Sequence, residues 1–214
     1  MSNTDTAVKN TPATGRRRWN ATDLGLIAVF AALVAGAALV PGLAVNGFGV
    51  PITFQTLAVM LTGLVLGTGR GFAAVALYIV LGLAGLPIFS QGRSGLGILA
   101  GPSAGYIIAF PIAAGIVGWL ATVVIRRTVK ARALWFFISA AVTSALVVHS
   151  LGIAGIALNT KATLEQAFLS DLVFYPGDMV KNILAAIIAV ALHRAFPDIL
   201  VRRIRRSTAQ PAKA

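Results

Sequence analysis

Residues 174–192 read FYPGDMVKNILAAIIAVAL. An acid, Asp178, and a base, Lys181, stand three residues apart at the head of an apolar run from Ile183 to Leu192. That spacing puts both side chains on one face of any helix beginning near Pro176. Pro176 suits a first helical turn, where its missing N–H removes nothing, and Gly177 lets the chain bend into it. Charges inside a membrane helix are costly. By default they face a bundle interior or a wet cavity and mark a binding site or pathway. The plainer alternative is a self-neutralising structural pair, or a Lys181 that snorkels to the interface.

The composition sets the surroundings of this pair. Of 214 residues, 57% are hydrophobic and 11% charged, with mean hydropathy +0.86. Soluble domains carry about 25% charge, so the chain reads as a polytopic membrane protein with one membrane domain. The formal charge of +12 could suggest nucleic acid, but the basic residues sit between and outside apolar runs. That is a topology pattern, and no nucleic-acid partner is expected. With no cysteine, disulfides, thiolate catalysis and cysteine-ligated metal are excluded. Arg16, Arg17 and Arg18 end a polar leader, and the apolar run after them lacks a convincing cleavage site. It reads as an anchor.

Apolar runs and breakers divide the chain into six spans. They fall at about 22–40, 51–66, 72–86, 103–125, 133–158 and 176–196, with Asn20 or Thr22 as the first N-cap and a kink at Pro111. The turn Gly67–Gly71 separates the second and third spans, and residues 87–102 form a glycine-rich connection. Residues 159–175 read as a mixed loop. The fold expected is an all-α membrane domain over 22–196, between basic tails at 1–21 and 197–214. In this scheme 15 of the 18 Lys and Arg residues fall on one side. The positive-inside rule then puts both termini in the cytoplasm of a multi-pass protein. Trp19, Trp119 and Trp135 lie toward the cytoplasmic ends of their spans, as interface anchors would.

Arg93, Lys161 and Lys181 are left on the outer side. Arg93 lies beside Gln91 and Ser94 in the glycine-rich connection, where a guanidinium and backbone N–H groups could trap a carboxylate. The plainer alternative is a solvated loop arginine. Its placement on the same side as Asp178 and Lys181 suggests a shared pocket with a few polar groups in an apolar wall. Gln55, whose amide needs partners if buried, joins as a wall candidate. Tyr106 and Tyr175 are favoured over Tyr78 as ring-and-hydroxyl contributors, and Phe89 is a lid or packing residue. On the first span, Ala28, Ala32 and Gly36 are spaced four apart, a small-residue face that permits close helix contact.

A hydrolase is the competing class. Gly92-Arg93-Ser94-Gly95 fits G-x-S-G, and His149 lies within a span, so an intramembrane serine hydrolase would use Ser94 and His149. The motif is short in a chain with 22 glycines, and His149 falls on the fifth span. No enzyme activity is therefore expected. There is no nucleotide-binding G-x-x-x-x-G-K-[ST] loop and no metal-ligand spacing, so neither a cofactor nor a metal is expected.

The runs VPITFQTLAVMLTGLVLG, GRGFAAVALYIVLGLAGLPIFSQGRSGLGILAGPSAGYIIAFPIAA and YPGDMVKNILAA resemble the BioY family. These are the biotin-specific substrate-capture (S) components of energy-coupling-factor (ECF) transporters. The resemblance covers about Thr22 to Arg194. It implies a six-helix membrane fold in the bacterial plasma (inner) membrane, with biotin bound near the outer face. It also implies partnership with a coupling transmembrane subunit and two cytoplasmic ATPases. Family site positions fall on Arg93, Asp178 and Lys181, and the docking face for the coupling subunit on Ala28, Ala32 and Gly36. Biotin offers an anionic valerate, an apolar thiophane body and a ureido ring with two N–H donors. Asp178 suits the ureido edge and Arg93 the tail, with Lys181 bridging, although the two cations could exchange roles.

Overall fold

The computed structural model describes residues 19–44, 47–127 and 130–200. Apart from residues 19–21 and 197–200, the expected tails lie outside the described residues. Helix α1 spans Ala21–Leu39. A two-residue hairpin, β1 (Leu43–Ala44) with β2 (Pro51–Ile52), leads to α2 (Gln55–Leu66) and α3 (Thr68–Leu83). After the glycine-rich connection come α4 (Ala104–Arg127), α5 (Arg132–Thr143) and α6 (Ser150–Thr160). Then come α7 (Leu164–Asp171) and α8 (Tyr175–Ala195).

Four continuous stretches are long and apolar enough to cross a membrane: Ala21–Leu39, Ala104–Arg127, Arg132–Thr160 and Leu164–Ala195. The expected second and third spans are shorter. At 1.5 Å per residue, the 12 residues of α2 reach roughly 18 Å, against about 30 Å of hydrocarbon. Helix α2 is instead the centre of the bundle. Apart from Leu57, every one of its residues from Gln55 to Leu66 is buried. The chain before it, expected to be helical from Pro51, pairs as β2 because Pro51 has no N–H to give a helix and can sit at a strand end.

Local chemistry sets the other boundaries. Asn20, one of two candidates, caps α1. Its side chain accepts from the Asp23 N–H at 2.9 Å, and Asp23 accepts back from Asn20 N–H. The turn expected over Gly67–Gly71 shrinks to Gly67 alone, at φ +79°, which glycine tolerates. Arg70 consequently sits inside α3 rather than in a loop. It is buried against Asp23 at 3.0 Å and also donates to the carbonyls of Leu66 and Ile199. The mixed loop expected over 159–175 contains α7, capped by a reciprocal Thr163–Gln166 pair. A 3-10 turn, Leu172–Phe174, joins it to α8.

Helix α4 runs against α2, α3 and α6, and small residues let it approach. A Cβ added at Gly118 would collide with the backbone of Gly67, and one at Gly105 with the carbonyl of Leu151. Membrane helices gain little from hydrophobicity when they associate, so this close packing is a main source of cohesion. Gly105→Leu is therefore expected to cost roughly 1–3 kcal/mol, as overpacking does. Gly25→Leu, with nothing within 4 Å of its Cβ position, should cost almost nothing. Thermal unfolding in detergent compares the two; equal shifts would contradict this packing.

Candidate functional site

At the end of the bundle where the glycine-rich connection lies, a cavity of about 600 Å³, counting its open mouth, is enclosed by that connection, the start of α2, α4 and α8. Phe89, Ile98, Ile107, Phe110, Val148 and Phe174 make most of the wall apolar. Into this wall are set Gln55, Arg93, Asp178 and Lys181.

The connection is held over the cavity by its own backbone. Phe89 N–H donates to the Arg93 carbonyl at 3.0 Å, and Gly95 N–H donates to the Gly82 carbonyl at 2.8 Å. Asn159 donates to the carbonyls of Leu99 and Gly101 and ties the same segment to α6. Phe89 is buried edge-on against Tyr78, with ring centroids 5.5 Å apart. It is both a wall and the pin that fixes the connection to α3. Arg93 is half-buried. Among the described residues the one hydrogen bond of its side chain runs from Nε to the Ser90 carbonyl, so the end of its fork is available.

On the opposite wall, Asp178 and Lys181 are 5% and 8% exposed, with Nζ to Oδ1 at 2.8 Å. They pair across one helical turn as their spacing predicts. The other carboxylate oxygen of Asp178 lies 3.4 Å from Nε2 of His149. Nδ1 of His149 in turn contacts Asp171 at 2.9 Å and 3.0 Å. Tyr106 donates its hydroxyl to Asp171 at 2.5 Å. An unbroken polar chain therefore runs Lys181–Asp178–His149–Asp171–Tyr106, linking α8, α7 and α4 through the turn just before α6.

The structure brings together Gln55, Phe89, Arg93, Tyr106, Asp178 and Lys181 as expected, but not Tyr175. That ring does not line the cavity; it stacks on His149 with centroids 4.1 Å apart. Ser94 and Gln91 are exposed, and the inward loop residue is Ser90. Both ring nitrogens of His149 face carboxylates, so the Ser94–His149 pairing of the hydrolase alternative is not formed. Four contributors escaped the sequence reading. Tyr78, passed over as an interface aromatic, receives the Gln55 amide donor at 2.9 Å. Ser90 and Ser103 line the cavity with buried hydroxyls that have no protein partner among the described residues. Asp171 falls in the stretch expected to be a loop, whereas the structure places it at the end of α7, against His149.

The chain is similar to characterised sequences along most of its length. The model of the BioY family matches residues 9–198. A "Biotin transporter BioY" of Rhodobacter capsulatus is 39% identical over 187 residues, covering 83% of this chain and 96% of that protein. One from Rhizobium etli is 34% identical, covering 84% and 97%. Among solved structures, a crystal structure of the S-component for biotin from an ECF-type ABC transporter superposes with a TM-score of 0.76. It is 27% identical, with 81% of this chain and 91% of that chain covered.

Gln55 ties the cavity floor to Tyr78, so Tyr78→Phe should orphan a buried amide donor. A loss of about 1–3 kcal/mol in stability is expected from thermal unfolding without ligand. An unchanged melting temperature would show that the amide finds another partner.

Proposed function

The chain belongs to the BioY family, and from that premise we propose that it captures biotin in the cavity between Arg93 and the Asp178–Lys181 pair. It is a multi-pass membrane transporter component, the S-component of an ECF-type biotin transporter, and not an enzyme. The observation that carries the site is the pairing of unlike groups across one apolar cavity. A cation with a free fork stands on the loop wall, and a buried acid–lysine pair stands on the helix wall.

The chemistry of biotin matches this division. The apolar walls take the thiophane body. The Asp178 carboxylate can accept from ureido N–H groups, and Arg93 can take the anionic valerate in bidentate fashion. Lys181 bridges, holding Asp178 ionised while presenting its remaining donors. Ser90 and Ser103 supply neutral hydroxyls for whatever edges remain. Nothing in this binding step requires nucleotide. Binding takes place on the outer side of the membrane, with both termini in the cytoplasm, as the distribution of 15 of 18 cations supports.

Release toward the cytoplasm involves a coupling transmembrane subunit and two ATPases. We assign docking of the coupling subunit to the face of α1 carrying Ala28, Ala32 and Gly36. All three are exposed, whereas Ile27, Ala31 and Val34 on the other side of α1 pack into the bundle. This favours an outward docking face over packing within the chain's own bundle.

Two measurements follow. Detergent-solubilised protein should bind tritiated biotin without nucleotide, and Asp178→Asn should weaken binding more than Arg93→Lys. Asparagine leaves Lys181 buried without its counter-charge, which costs about 3–5 kcal/mol. Lysine at 93 keeps the charge and loses about 1–3 kcal/mol with the fork. No biotin binding by the wild type would overturn the functional reading, and wild-type affinity in Asp178→Asn would make the pair structural. Separately, Ala32→Trp should leave biotin affinity nearly unchanged while abolishing co-purification with the coupling subunit, because close approach depends on missing volume. Loss of both would place this face inside the bundle; loss of neither would remove it from docking.

A further inference from the structure

We infer that His149 is a positioning residue of the biotin site, which holds the Asp178 carboxylate as an imidazolium and keeps the helix wall of the cavity neutral, so that capture depends on its charge. The inference rests on the reading of the cavity given above.

Four groups at this wall can ionise within reach of one another. Asp171 on α7 is fully buried, Asp178 and Lys181 come from α8, and His149 stands between the two carboxylates at 2% exposure. The hydroxyls of Tyr106 on α4 and Tyr175 on α8 complete the surroundings. A neutral imidazole has one donor and one acceptor nitrogen. Here each nitrogen faces carboxylate oxygen, so a neutral ring would turn a lone pair onto an anion. The doubly protonated ring donates to both. With His149 charged, two anions and two cations cancel, which is how a buried network satisfies its charges. With His149 neutral, the wall carries a net negative charge beside a cavity that must admit an anion, and Lys181 becomes the counter-ion for two aspartates.

The backbone is built to bring this ring inward. Buried positions on α5 are Phe136, Ser139, Ala140 and Thr143, and continuing the Phe136–Ala140–Thr143 period would bring Val147 inward. Residues Ser144–His149 instead form a π-helical segment in which Ser144, Val148 and His149 are buried, followed by Gly152. One extra residue in the turn rotates His149 toward α7 and α8. Behind it a smaller cavity of about 180 Å³ is lined by Ser144 and Asn182. The Ser144 hydroxyl and Asn182 amide have no protein partner among the described residues.

The test is biotin affinity by calorimetry on the detergent-solubilised full chain, from about pH 6 to about pH 10. It compares wild type, His149→Gln, His149→Gln/Asp171→Asn and Asp171→Asn. At the acid end His149→Gln should bind at least about tenfold more weakly, the scale of one charge-assisted bond. Raising the pH should close this gap, because the wild-type ring loses the charge that glutamine lacks. Removing the Asp171 charge from the glutamine variant should recover most of the affinity, since the wall is neutral again. If the single variant does not fold, Asp171→Asn carries the test, and it should lack the alkaline fall in affinity of the wild type, because its wall gains no net negative charge when the ring becomes neutral. A double variant weaker than the single, a gap that ignores pH, or an Asp171→Asn profile that falls as the wild type does overturns the inference. Wild type that binds no biotin at any pH instead overturns the functional reading beneath it.

Discussion

The structure depends on how a carboxylate can be kept inside a hydrophobic bundle. Asp178 is almost fully enclosed, and its two oxygens face cations from different directions, Lys181 at 2.8 Å and His149 at 3.4 Å. Isolated in an apolar interior, any one of these charges would cost several kcal/mol. Together they are affordable only if α4, α6, α7 and α8 stay in register. The same constraint that stabilises the assembly therefore also preforms the polar half of the cavity. A ligand arriving there finds acceptors and donors already aimed, and the ordering cost of binding is correspondingly small.

The remaining architecture keeps that cavity at one end. Helix α2 fills the centre and is too short to span alone, so the chain above it folds into the hairpin and the glycine-rich connection that roof the site. Glycines at helix crossings bring α4 close to its neighbours and leave no room for a large residue. At the far end of the bundle, Arg70 clasps Asp23 and the Ile199 carbonyl. Helix α1 contributes one face to the core and leaves its small residues outward. The proposed capture cavity and the proposed docking face thus lie on separate surfaces of one compact unit.

Much of this was legible from residue order. The acid–lysine spacing, the count of apolar runs and the small-residue face of α1 each rest on periodicity, which sequence displays directly. Failures occurred where tertiary partners decide. Pro51 extends a strand because Leu43–Ala44 is there to pair with it. Tyr175 was expected in the wall, but its neighbour His149 captures the ring. His149 itself could not be placed by a helical period, because a π-helical segment shifts the buried face by one residue. Asp171 sits among Phe168, Leu169, Leu172 and Val173, but the polar residues Lys161, Thr163, Glu165 and Gln166 before them make the segment look like a loop. The buried network became visible only when four helices were assembled.

The most direct test of the central claim is an experimental structure with biotin bound. The account expects biotin in the cavity between the glycine-rich connection and α8, its ureido edge within hydrogen-bonding distance of Asp178. The valerate should lie on the Arg93 side, and His149 should still bridge Asp171 and Asp178. Biotin bound elsewhere, or seated in the cavity with Asp178 engaged only by Lys181 and His149, would contradict it.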